Sequence, residues 1–463
     1  MFLGIFTNTT DVFNNEFIFL NDFLFGGLFV LGSYLVVKNI AEKHYKGTVH
    51  YNYLMNAYKV KIVCTILFTL IFAFYYKGGD TFAYLCNVLQ LKDLITTNPE
   101  GLFYILFDSN SFEAHYHMDD YMLGRGSYMT DSSTKMVIFM AFFISFICFN
   151  SYVFLSLVCS MIALIGCWRL YRVFSELYPH LHKQMAIACL FLPSVCFWGA
   201  GLLKDPICIG ALGVFTYAVY DLFIKRNSPV ANTFLIIFMV YIVMNIKVYI
   251  ILSYAPAVLM WIISRYGYTI KSPFIKAVIG PLMMVLGVGV GVLVLTQMAK
   301  FAERYAFEEM MRTAKDTQNW LVTSSKMTGG SFYTLGDIDY TYMGLLKIAP
   351  KAINVSLFRP YIWEAKKPML IIAALEGMLT FFMTVRLIFK SGFFKFFKMI
   401  SDNPEVQFCI IFSIIFAFAV GFTSFNFGAL ARYKIPFMPF YYIALFVLSD
   451  TQKKQESQLV KSN

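Results

Sequence analysis

The sequence predicts an all-α fold, a polytopic bundle of transmembrane helices, and three observations carry the prediction. First, 59% of the 463 residues are hydrophobic and only 14% are charged, against about 25% charged in an ordinary soluble domain. Second, several apolar runs approach the roughly 20 residues that a helix needs to cross about 30 Å of hydrocarbon. Third, the charges lie between those runs and do not gather on one polar face. The net charge of +11 therefore reads as membrane topology and not as nucleic-acid binding.

The apolar runs are 23–37, 60–76, 136–168, 184–200, 206–224, 232–246, 249–263, 277–298, 368–385, 407–424 and 436–449, which makes about eleven spans in one integral domain, 1–463. The run 136–168 is read as a single span preceded by an amphipathic surface segment, and Lys247 marks a break between two spans. With the N-terminus outside and the C-terminus in the cytoplasm, the short inner loops hold twenty Lys and Arg residues, from Lys38 to Lys461. The short outer loops then hold four: Lys204, Lys247, Arg432 and Lys434. That asymmetry is the positive-inside bias. Two long outer segments, 77–135 and 300–367, mix charge with aromatics and lack long Gly, Ser or Pro tracts, so both are expected to fold. The glycines of 287–291 are expected to let helices approach closely within a span. Eight of the nine cysteines lie in or beside apolar runs and act as small hydrophobes; Cys86 is expected in a loop, and no disulfide framework is expected. Residues 1–15 lack a basic stretch and do not read as a cleavable signal.

The candidate chemistry sits at helix ends. Lys77-Gly78-Gly79-Asp80 closes the second span. Its glycines permit a sharp turn, and Asp80 is placed to act as a general base; an ordinary helix cap is the bland alternative. Gly201-Leu202-Leu203-Lys204-Asp205-Pro206 forms a very short outer turn, in which Lys204 would reach an anion with Asp205 orienting it. Arg432-Tyr433-Lys434-Ile435-Pro436 puts two cations where the positive-inside bias disfavours them. A lipid phosphate held by Arg432 and Lys434 accounts for that, with interfacial snorkelling as the alternative. Arg359-Pro360-Tyr361-Ile362-Trp363-Glu364 approaches the ninth span. There Trp363 fits an aromatic belt, while Arg359 and Glu364 would line the site. Glu376 lies inside that span, where a carboxylate needs a function or a partner. Glu113, His115, His117, Asp119 and Asp120 have residue types that suit a divalent metal, with both His on one face of an extended strand; a solvated loop is the commoner outcome, and no cofactor is assigned. No P-loop, Rossmann glycine pattern, HExxH, GxSxG or CxxC motif is present.

On these residues the layout resembles the GT-C class of membrane glycosyltransferases. Gly79-Asp80 with the segment after it is similar to the acid-bearing first outer loop of that class, and Arg432-Tyr433-Lys434-Ile435-Pro436 to basic stretches near the end of several members. Gly201…Lys204-Asp205 and Arg359-Pro360…Trp363-Glu364 look like stretches of uncharacterised bacterial polysaccharide polymerase-like membrane proteins. The chain departs from the class pattern by an extra span before Asp80 and by a single acid there in place of a pair. The resemblance implies transfer of a sugar from a polyprenyl-phosphate donor at the outer face of a bacterial inner membrane, for envelope or exported glycan. Asp80 would be the base, and Lys204, Arg359, Arg432 and Lys434 the phosphate ligands. Its partners would be the lipid-linked sugar or glycan and membrane lipid. An oligosaccharide polymerase or ligase is the nearest variant. A transporter, expected to carry charges at mid-depth on several spans, and a structural envelope subunit are the other classes.

Overall fold

A computed structural model describes residues 18–108, 111–121, 129, 131–267 and 331–462, excepting 337 and 340, with isolated positions between 312 and 327. The described residues are all-α, with no named strand among them, and form a polytopic helical membrane protein. Seven of their helices are long and apolar enough to cross a bilayer. That number is lower than the eleven spans expected from the sequence, for definite reasons. The run 277–298, with the glycines of 287–291, lies outside the described residues.

The helices, in chain order, begin with α1 (Leu20–Tyr45) and α2 (Val49–Leu70), the latter prolonged by a π-helical turn, Ile71–Tyr76. Three shorter helices follow, α3 (Asp80–Thr97), α4 (Pro99–Phe107) and α5 (Phe112–Tyr121). Next come α6 (Ser132–Ser145) and α7 (Tyr152–Leu177). The expected single span 136–168 is thus two helices, separated where Phe149 and Asn150 adopt positive φ. With 14 residues, α6 reaches only ~21 Å, whereas α7, with 26, reaches ~39 Å, so only α7 has the length to cross.

The run 184–200 breaks into α8 (His182–Leu190) and α9 (Pro193–Trp198). Pro193 supplies the reason, since proline drives the residue before it out of helical geometry. Then come α10 (Lys204–Val219) and α11 (Pro229–Gly267), whose backbone is non-helical at Lys247. The halves 229–246 and 248–267 are ~27 and ~30 Å long, as expected of two spans meeting at that residue. Beyond 331 lie α12 (Tyr342–Phe358), α13 (Pro368–Ser391), α14 (Phe393–Ser401), α15 (Pro404–Thr423), α16 (Phe427–Tyr433) and α17 (Met438–Ser462). The run 436–449 is the buried first half of α17, an apolar length of ~18 Å to Ser449 that the polar half of the helix continues to Ser462.

Burial is inverted relative to a soluble protein. Phe23, Leu28, Leu35, Phe74, Ile237 and Phe382 are more than half exposed, while Asp22, Lys61, Asp205, Lys247, Glu376, Glu405 and Lys434 are buried. Contiguous apolar surface on this scale marks contact with lipid or protein. All nine cysteines are free, and Cys86 is buried within α3 and not in a loop.

The chain divides into two compact units, a division for which the sequence offered no sign. Unit 1 comprises residues 1–169, 196–215 and 238–247; unit 2 comprises 170–195, 216–237 and 248–463. In unit 1, α1 packs on α2, and α3 on α6. The α7 and α10 backbones meet at glycine: a Cβ on Gly166 would stand 2.2 Å from the Gly210 carbonyl oxygen, and one on Gly213 2.1 Å from that of Gly166. Close glycine packing therefore occurs, in spans other than the one that the sequence singled out. In unit 2, α15 packs between α12 and α17, and a Cβ on Gly421 would stand 2.1 Å from the Ala352 oxygen.

Candidate functional site

In unit 1 the candidate residues occupy two neighbouring turns. Lys77, Gly78 and Gly79 all have positive φ, the sharp turn that the paired glycines predict, and Asp80 opens α3, half-buried. Both turns rest on one aromatic stack. Phe68 and Phe72 of the second span are stacked at 4.3 Å between centroids, and Phe72 meets Trp198 edge-on. A Cβ on Gly79 would stand 3.1 Å from the Phe72 ring, and one on Gly201 2.2 Å from the Phe68 ring. Gly201, with φ +82, thus brings the Lys204 turn against the same side chains.

The lysine of that turn is oriented, but by a residue that the sequence reading missed. Lys204 Nζ lies 3.0 Å from Asp131 Oδ2 and 2.6 Å from Ser133 Oγ. Asp131 also receives hydrogen bonds from the Ser133 hydroxyl and, at 2.7 Å, from Thr134 Oγ1. Burial alone would raise the Asp131 pKa; the Ser133 bond and the Lys204 charge outweigh it and hold the carboxyl well below the usual carboxylate range. Asp131-Ser-Ser-Thr is legible afterwards as a helix N-cap, but nothing local ties it to Lys204.

Asp205 does not orient Lys204. It is fully buried and forms an ion pair with buried Lys247, at the break in α11. The expectation that neighbours in sequence would share a task fails because successive residues of a helix do not face each other. A second missed residue is Lys61. It is buried and donates to the Gly199 carbonyl at 2.9 Å, fixing the turn between α9 and α10.

In unit 2, Arg359 and Glu364 pair with each other. Arg359 Nε lies 3.0 Å from Glu364 Oε2, and Nη2 bonds the other carboxylate oxygen. Glu364 also accepts from the Tyr361 amide at 2.9 Å, and the Arg359 guanidinium lies over the Phe427 ring at 5.2 Å. Burial opposes the Glu364 charge, yet the Arg359 bond holds its pKa below the usual range. Trp363, 79% exposed, stacks on Tyr361 at 5.0 Å, as an interfacial aromatic would.

Glu376 is buried in α13 with both oxygens held by Ser194: the amide donates to Oε2 at 2.9 Å and the hydroxyl to Oε1 at 2.6 Å. Lys434 is fully buried, and its ammonium has no hydrogen-bond partner among the described residues. Burial lowers its pKa, and the negative Glu376 opposes that fall. Arg432 is half-buried, its guanidinium 5.1 Å from the Tyr433 ring centre. Within unit 2, therefore, Lys434 and Glu376 are electrostatically linked, and Arg359 is engaged by Glu364.

The acid–histidine cluster is helical, not extended. Glu113, His115 and His117 lie on α5, so the two His, two residues apart, do not share a face. His117 Nδ1 bonds Asn98 Nδ2 at 3.0 Å, and His115 Nδ1 bonds the Ser111 carbonyl at 2.7 Å. The side chains of Asp119 and Asp120 lie outside the described residues. No group of three metal-ligating side chains occurs among those described.

The chain matches no family model, and no curated protein or solved structure matches it.

Proposed function

We propose that this chain is a membrane glycosyltransferase that takes a sugar from a polyprenyl-phosphate donor at the outer face of a bacterial inner membrane, for envelope or exported glycan. The observation that carries the reading is the seating of a carboxylate turn, Asp80, and an oriented cation turn, Lys204, on one aromatic stack of unit 1. Asp80 takes the proton of an acceptor hydroxyl as the new bond to the sugar's anomeric carbon forms. The bond from that carbon to the donor oxygen breaks, and the electron pair leaves with the phosphate, whose charge Lys204 stabilises. Trp363 of unit 2, exposed and stacked on Tyr361, is assigned to the membrane interface. The N-terminus faces outward and the tail lies in the cytoplasm. A polymerase or ligase acting on a lipid-linked glycan would use the same groups.

The test is glycan transfer by the full chain in membranes. Asp80→Asn and Lys204→Met are each expected to lower transfer at least a hundredfold with the protein still folded. Full transfer by both variants would remove the proposed site.

A second reading, an ion-coupled transporter, is favoured by the buried ion pair Asp205–Lys247 at a helix break. Ionisable groups within spans and interrupted helices mark ion and substrate pathways. It predicts solute flux into proteoliposomes that is lost in Asp205→Asn and retained in Asp80→Asn, the reverse of the transferase reading.

A further inference from the structure

Unit 2 carries a polar cleft whose lining includes none of the candidate site residues above. Its volume is about 270 Å3, and it is bounded by α8, the end of α13 and the second half of α17. Gln184, Arg386, Lys390, Ser449, Gln452 and Lys453 supply its polar lining, together with Asp450 and Glu456.

The two carboxylates are already committed. Asp450 Oδ2 pairs with His180 Nε2 at 2.9 Å and with Lys454 Nζ at 2.7 Å. Glu456 accepts from Gln452 Nε2 at 3.1 Å. The three cations are not: Arg386, Lys390 and Lys453 form no ion pair or hydrogen bond among the described residues. Arg386 and Lys390 stand four residues apart on one helix, where like charges repel. An anion between them and Lys453 would turn that repulsion into binding.

The depth of the cleft identifies the kind of anion. It opens where the 24-residue apolar helix α13 ends and α14 begins. Around that junction Phe389, Phe393, Phe394 and Phe397 are 82%, 61%, 87% and 53% exposed. Four exposed phenylalanines interleaved with Lys390, Lys395 and Lys398 describe a helix lying in the membrane interface, rings toward the acyl chains and ammoniums toward the headgroups. The cleft is therefore at headgroup level. It is smaller than the roughly 300–1,000 Å3 that enclose a whole small ligand, which suits a headgroup whose tails stay in the bilayer.

We propose that the cleft lined by Arg386, Lys390 and Lys453 binds a phosphate-bearing anion at the membrane interface, with the phosphodiester headgroup of an anionic lipid as its occupant. The site is independent of the transfer site proposed above.

The test uses the full chain in nanodiscs and native mass spectrometry of what it retains. Phosphatidylglycerol is compared with phosphatidylcholine, and glycerol 1-phosphate is added as a soluble competitor. The wild type is expected to retain phosphatidylglycerol at least tenfold over phosphatidylcholine. Arg386→Gln, Lys390→Gln and Lys453→Gln together abolish the preference, and the charge-keeping set Arg386→Lys, Lys390→Arg and Lys453→Arg keeps most of it. Lys395→Gln with Lys398→Gln, which removes interfacial charge outside the cleft, changes it less than threefold. Displacement by millimolar glycerol 1-phosphate assigns the site to a free phosphate monoester; no displacement assigns it to the lipid. No headgroup preference in the wild type, or equal loss in the Lys395/Lys398 variant, overturns the site.

Discussion

Lys434 and the Asp205–Lys247 pair put the same physical cost in two different settings. Moving an ammonium out of water costs several kcal/mol unless partners replace the lost hydration. Asp205 and Lys247 form a buried ion pair, so removing one member takes the opposite charge away from the other. Asp205→Asn is expected to cost about 3–5 kcal/mol of stability, and Asp205→Asn with Lys247→Met much less; thermal melts in detergent measure both. Lys434 makes no hydrogen bond among the described residues, and its pKa lies below that of an exposed lysine. The sign follows from linkage. Between the lowered folded pKa and the unfolded value of about 10.4, the unfolded chain binds more protons, so stability rises with pH across that window. The wild-type melting temperature is expected to climb as pH rises toward 10, and Lys434→Met to flatten the climb. An unchanged slope would mean that the buried amine does not titrate in this way.

Elements are decided by what their ends and faces meet. The break before Pro193, inside a run expected from the sequence to be one span, and the stop at Gly392, with φ +76, have local backbone causes. The approach of α7 to α10 does not. It requires Gly166, Gly210 and Gly213 to be opposite one another, a register that hydropathy leaves open. Gly166→Val would drive two methyl groups into a backbone carbonyl. It is expected to lose more than about 3 kcal/mol or to yield no folded protein, whereas Gly32→Ala, where no described residue beyond its own helix turn comes within 4 Å of the added carbon, is expected to change the melting temperature little. Equal effects in detergent melts would remove the packing argument.

For the whole molecule, the distribution of cations predicts the orientation. Reporter fusions after Lys46, Arg226, Lys398 and the C-terminal tail are expected to read cytoplasmic, with the N-terminus outside. Orientation matters to function because the proposed donor chemistry belongs to the outer face. A cytoplasmic Asp80 turn, found by labelling a single cysteine placed beside it, would end the transferase reading while leaving the helical fold untouched.

What the sequence determined by itself was the class of fold and where most helices run, because apolar mass, charge placement, Gly and Pro act locally or add along the chain. Of the candidate site, it located the turns that bear Asp80 and Lys204 and the carboxylate of Glu376. Only the tertiary structure decided the partners: Asp131 for Lys204, Lys247 for Asp205, Ser194 for Glu376 and Glu364 for Arg359. Three of these four pairs join residues 42 or more positions apart, and such pairing depends on helix register and kinks that no local propensity records. The Arg359–Glu364 pair, five residues apart, has both members among the residues that the sequence points to, but not the bond between them. The three-cation cleft was invisible for the same reason. Each of its lysines and arginines looked like one more inner-loop charge until α13 and α17 brought them to one opening.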